Sequence, residues 1–280
     1  MSATKLENLT FLKLGGSLIT DKDHPNTPRK DVLARLAGEI RSALHNQPGM
    51  QLILGHGSGS FGHAAARKHG TRQGVSGPAG WRGFFEVWKE ARALNQIVVE
   101  ALAAAGVPAV AFPPSATVIA RDGQPISWDL APIRAALAAG LVPLVNGDTI
   151  FDEDLGGTIL STEDLFCYLA QQFQPQRILL AGLEEGVWAD FPVCSQVIET
   201  ITPENFPDYT AQIVGSASVD VTGGMLEKVR RMLDLVIQQP ALEAFIFSGT
   251  QPGAIASALE GSRIGTRISQ SWAPTNFMLR

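Results

Sequence analysis

Short apolar runs alternate along this chain with stretches whose apolar residues recur every three or four positions. Residues 11–14 (Phe-Leu-Lys-Leu) have strand length. Val32, Leu33, Leu36, Ile40 and Leu44 then fall at helical spacing. Residues 52–54 predict a second buried strand. Phe84, Val87, Trp88, Ala91, Leu94, Val98 and Leu102 predict a long amphipathic helix. Strands are expected at 107–112 and 141–145, with a helix at 133–139 between them. Residues 151–159 predict a β-hairpin with Gly156-Gly157 at its tip. A helix at 165–173 and a strand at 177–181 follow. Met225, Val229, Met232, Leu233 and Val236 mark another helix, and 244–247 another strand. Residues 265–268 close the core. Residues 189–220, with Pro192, Pro203 and Pro207, predict loop.

This β-α alternation predicts an α/β fold with a mostly parallel central sheet. The 280 residues suit one unit, 1–280, with a soft boundary at 174–176 separating lobes of about 1–174 and 175–280. Hydrophobic residues make up 45% and charged ones 18%, an ordinary globular balance. The net charge of −5 and the lack of a basic run argue against nucleic acid or an anionic membrane as partner. Cys167 and Cys194 give neither a metal spacing nor a disulfide framework, and no metal-ligand set is expected. No signal-like or membrane-length segment is visible, so a reduced, cytoplasmic setting is expected.

The chemistry concentrates at strand ends. His56-Gly57-Ser58-Gly59-Ser60-Phe61-Gly62-His63 joins the second strand to a helix. Such a glycine-dense turn exposes backbone N–H groups at a helix start, which suits an anion. His63 adds a donor for a phosphate oxygen, whereas His56 and His69 read as helix-surface histidines. Lys13, two residues before Gly15-Gly16-Ser17, is a cation among apolar neighbours and needs a partner or an anion. Lys22 follows in a loop. Asn146-Gly147-Asp148 lies past a strand's C-terminal end, where α/β sheets bind ligands. Thr222-Gly223-Gly224-Met225 opens a helix with Lys228 one turn inside, a second anion-site candidate. Gly57, Gly59 and Gly62 also match G-x-G-x-x-G, but the acidic ribose ligand is missing, which removes a dinucleotide reading. Walker A and His-Arg-Asp kinase patterns are absent.

Taken in order, these segments resemble the amino acid kinase superfamily over nearly the whole chain. Lys13 to Lys22 and the Ser-Phe-Gly-His turn are similar to the isopentenyl phosphate kinases within it. The resemblance implies an open αβα sandwich, with the phosphate acceptor on the N-terminal lobe and ATP on the C-terminal lobe. It implies γ-phosphoryl transfer to isopentenyl phosphate, with dimethylallyl phosphate a second acceptor, and a homodimer. Lys13 and Lys228 would hold the transferring group, Lys22 would reach the β/γ region, and His63 would bind the acceptor phosphate. Gly57, Ser58, Gly59 and Gly147 would offer backbone N–H groups to the acceptor, and the Ser58 hydroxyl would add a group beside its phosphate. Asp148 would orient the lysines. Gly15, Gly16, Ser17, Gly182, Gly186, Gly223 and Gly224 would border ATP. Mg2+ is expected on the ATP phosphates, held by substrate oxygens and water. Leu183 stands where the family usually has Asp.

An acceptor phosphate is already anionic, so no general base is needed; the task is to neutralise and align two polyanions. The apolar residues Val75, Trp81, Phe84, Phe85, Val87 and Trp88 offer a wall for a five-carbon tail, although Val87 and Trp88 read as core. A fosfomycin kinase shares the same turn and would have a more polar pocket. A non-catalytic nucleotide binder on this fold would have no need to keep the lysines.

Overall fold

A computed structural model describes residues 8–215 and 224–272. Its elements in chain order are β1 (Leu9–Leu14), α1 (Gly16–Ile19), α2 (Lys30–Asn46), β2 (Gln51–His56), α3 (His63–His69), α4 (Gly77–Ala104), β3 (Ala109–Ala111), β4 (Val118–Arg121) and β5 (Gln124–Trp128). They continue with α5 (Ala131–Ala138), β6 (Val142–Asn146), β7 (Asp148–Asp152), β8 (Gly156–Leu160), α6 (Thr162–Phe173), β9 (Arg177–Gly182) and β10 (Thr200–Ile201). The last are α7 (Phe206–Gly215), α8 (Gly224–Gln238), β11 (Glu243–Ser248), α9 (Ala254–Leu259) and β12 (Thr266–Ile268).

The main sheet has the order β10-β12-β11-β9-β1-β2-β6-β3. The strands from β11 to β3 run parallel, and β12 turns antiparallel against β11. Side chains of β1 alternate between two cores. Leu9 and Phe11 join Phe166, Ile178, Val229 and Met232; Leu12 and Leu14 join Leu36, Ile40, Leu94 and Val98. Helices α5, α6 and α8 therefore cover one face and α2, α4 and α9 the other, the expected αβα layering. Burial on both faces explains why these strands read as continuous apolar runs.

A second sheet, β5-β4-β7-β8, lies beside the first. Asp152 pairs with Gly156, so the hairpin turns at 153–155 and Gly156-Gly157 open β8 instead of forming the tip. Asp152 Oδ1 accepts from the N–H groups of Asp154 and Leu155, closing the corner early. The two glycines are needed for packing: a Cβ on Gly156 would sit 2.4 Å from Val75 O. Helix α7 falls inside the stretch expected to be loop. Thr202 and Asn205 exchange backbone–side-chain hydrogen bonds just ahead of it, a start signal the prolines masked. Strands β4 and β5 were also not expected.

Candidate active site

The parallel strands end on a cavity of about 900 Å³. Lys13 lies on the same side of β1 as Phe11 and faces α6, where its Nζ pairs with the Glu163 carboxylate. Glu163 is placed by the start of α6. Ser161 Oγ caps that helix by accepting the Asp164 N–H, and Asp164 Oδ2 in turn accepts the Ser161 N–H at 2.7 Å. Burial would push the Glu163 carboxyl up, but Lys13 and then Lys228 outweigh it and hold it at about 2. Two cations therefore face one fixed anion at the floor of the cavity.

The turns after β1 and β2 press against each other. A Cβ on Gly16 would lie 2.2 Å from Gly59 N, and one on Gly59, at φ +54°, would lie 2.0 Å from Thr20 Oγ1. Two expected donors are already used: Gly57 N donates to Leu14 O at 3.0 Å and Gly147 N to His56 O at 3.2 Å. Both glycines border the cavity but do not present those N–H groups to it, because they stitch neighbouring strand ends together. Among the described residues, the N–H groups of Gly16, Ser17, Ser58 and Gly59 have no acceptor in the protein. The Ser58 hydroxyl donates to Gly147 O at 3.3 Å, so it braces two turns.

His63 is the first residue of α3 and lines the cavity, as do Lys22, Gly15 and Gly16. Helix α3 is anchored on α4: Gly62 N donates to Glu90 at 2.5 Å, and His69 Nε2 lies 2.9 Å from Glu86. His56 is no surface histidine. It ends β2 fully buried, with Nε2 3.0 Å from Asn95 Oδ1 and Nδ1 3.1 Å from Gly57 O, and burial lowers its pKa. Ala66, Val87 and Ile159 make this end of the cavity apolar. Of the aromatic stretch expected there, only Val87 lines the cavity. Trp81 and Phe84 instead pack, with tilted rings, against Phe151, and Trp88 donates to Ser115 Oγ at 3.2 Å.

The opposite end is bordered by Gly182, Leu183, Glu184 and Trp188 and by Gly224 and Lys228 of α8. Trp188 Nε1 donates to Glu184 at 2.7 Å. Gly186 is not at this surface. It is pressed against Val197 and Thr266, where a Cβ would meet Val197 Cγ1 at 2.5 Å. Thr222 and Gly223 lie outside the described residues.

Asp148 does not reach the lysines. Its carboxylate accepts from Ser115 N at 3.2 Å and Thr149 N at 2.9 Å, beneath the cavity wall. Burial pushes its pKa up to about 6. The lysine-facing carboxylate is Glu163, which the sequence reading missed. The Ser161-to-Asp164 capping pattern, with two adjacent acids entering an apolar helix, was the available signal. Arg67, Lys68 and Arg72 also line the cavity and were not expected.

A family model for the amino acid kinase family matches residues 8–248, and this chain belongs to that family. Within it the chain is similar to isopentenyl phosphate kinases. It is 34% identical to the enzyme of Methanocaldococcus jannaschii over 94% of this chain and 99% of that one. It is 36% identical to that of Haloferax volcanii, over 89% and 98%. A solved isopentenyl phosphate kinase structure superposes with a TM-score of 0.79 at 32% identity, covering 93% of this chain and all of the other.

Proposed function

We propose that this chain transfers the γ-phosphoryl group of ATP to isopentenyl phosphate, releasing isopentenyl diphosphate and ADP, and accepts dimethylallyl phosphate as well. The convergence of Lys13, Lys228 and His63 on one cavity with an apolar end is the observation that carries this reading. Its support also includes the similarity to isopentenyl phosphate kinases along almost the full chain. The apolar end favours a hydrocarbon tail over a polar phosphonate such as fosfomycin.

On this reading the acceptor lies along residues up to about 174 and ATP along the remainder. His63 donates to the acceptor phosphate. Unpaired N–H groups of Gly16, Ser17, Ser58 and Gly59 take phosphate oxygens at the junction. Lys13 and Lys228 draw charge from the transferring group, with Lys22 reaching in from its loop. Glu163, in place of Asp148, holds the lysines in position. The attacking oxygen is already ionised, so these residues align reactants and stabilise spreading charge without removing a proton. Among the described residues no group of three or more His, Cys, Asp or Glu could hold a metal, and Glu163 is committed to Lys13. Mg2+ would enter on the ATP phosphates, held by substrate oxygens and water. No helix among the described residues is long and apolar enough to cross a membrane. A cytoplasmic homodimer is part of this proposal on the similarity to isopentenyl phosphate kinases alone.

An ADP-release assay with MgATP tests this, comparing isopentenyl phosphate, dimethylallyl phosphate and fosfomycin. Both isoprenoid phosphates should turn over, and His63→Ala should cut kcat/KM for them by roughly 100-fold or more, the scale of losing one charge-stabilising donor. Turnover of fosfomycin alone would reassign the acceptor, and none at all would leave a nucleotide binder.

A further inference from the structure

Adjacent acids at the start of α6 hold cations from three other elements. Glu163 takes Lys13 of β1. Asp164, its side chain 2% exposed, takes the Arg231 guanidinium of α8 on Oδ1. Its Oδ2 accepts from both Ser161 N and Ser161 Oγ at 2.7 Å, and Arg72 Nη2 lies 3.8 Å from the same oxygen. Capping α6 needs only Oδ2, so the Arg231 contact is additional to the helix's own requirements. Arg231 is also held by Glu227, four residues earlier, at 3.0 Å.

We propose that Asp164 and Arg231 are positioning residues for phosphoryl transfer, fixing the register of α8 so that Lys228 faces the Lys13–Glu163 pair. This rests on the function proposed above. Neither residue borders the cavity, whereas Lys228, one turn before Arg231, does. Lys228 and Arg231 are three apart and share a helix face. The Lys228 charge already acts on Glu163. Helix α8 is otherwise held by Val229, Met232, Leu233, Leu235 and Val236, an apolar stripe that secures burial but discriminates weakly between small slides. A slip of one turn would carry Lys228 about 5.4 Å along the axis. Buried ion pairs seldom raise stability over an apolar replacement but can select one packing register. Arg72 joins the same node from the short turn at Thr71–Gln73 beside the acceptor end. Its Nη1 is buried with no acceptor among the described residues, so the guanidinium has donor capacity left to close on Asp164.

The test uses the full chain with Arg231→Met and Arg231→Lys. Lysine keeps a cation for Asp164 Oδ1 at the same position. The Met variant should keep its far-UV CD, lose kcat 10- to 100-fold and change KM for either substrate less than 3-fold. The Lys variant should recover most of kcat. Amide hydrogen exchange over 224–231, measured without substrates, should be faster in the Met variant and near wild type in the Lys variant. Unchanged kcat, or no gain in exchange, would overturn the proposal. If wild type itself does not phosphorylate isopentenyl phosphate, the function proposal fails, and exchange alone decides whether the pair sets the helix. If Arg231→Met does not fold, Arg231→Gln, which keeps a neutral donor, takes its place in the same measurements.

Discussion

A half-buried lysine near the end of β1 is tolerable because Glu163 meets it there, and the pair has two effects that can be separated. Lys13→Ala alone would strand a buried carboxylate, costing on the order of 3–5 kcal/mol as well as activity. The double change Lys13→Met with Glu163→Gln should recover most of that stability, read as Tm, while turnover stays lost. Recovered turnover would remove Lys13 from the chemistry. Asp148 makes a pH prediction. The folded protein holds its proton up to about 6, against an ordinary value of 3.8. Between those values the folded state binds more protons than the unfolded chain. The Asp148 contribution to stability is therefore greatest below pH 3.8 and falls as pH rises to about 6. The stability of Asp148→Asn minus that of wild type, from urea titrations, should grow by about 2 kcal/mol from pH 4 to pH 7. A pH-independent difference would contradict the buried, proton-holding carboxyl.

At the scale of elements, the site depends on turns that touch. The β1–α1 turn and the turn after β2 approach so closely that Gly16 has no room for a methyl group against Gly59 N. Gly16→Ala should therefore move the phosphate-facing backbone, lowering kcat/KM at least 10-fold and Tm by several degrees; wild-type values for both would show that the turns separate readily. Sequence made the glycines of these turns conspicuous but not their division of labour. Which N–H groups remain for a ligand depends on strand register: Gly57 is spent on β1 and Gly147 on β2. Likewise His56 reads from sequence as a helix-surface histidine, yet it is buried because β2 continues through it to pair with β6. Glu163 and Asp164 stayed hidden because the apolar period of α6 only becomes plain at Leu165, after the cap.

Across the whole molecule, one cavity spans strand ends from β2 to β11, so both substrates should stabilise the same folded unit. A non-hydrolysable ATP analogue at about 100 times its Kd contributes about 2.7 kcal/mol, or a Tm rise of roughly 5 °C. Isopentenyl phosphate should do the same, and the two together should exceed either alone. No shift with either would place their binding elsewhere. The sequence by itself determined the α/β class, where most of the main strands lie along the chain, and the candidate phosphate-facing residues Lys13, His63 and Lys228. These follow from apolar period, glycine spacing and charges set among apolar residues, all local along the chain. Only the tertiary structure decided that Glu163 faces Lys13, that Asp148 faces Ser115 and that Gly186 packs inside. Those choices depend on which side of a strand meets which helix end, a relation between residues far apart in sequence that no local pattern encodes.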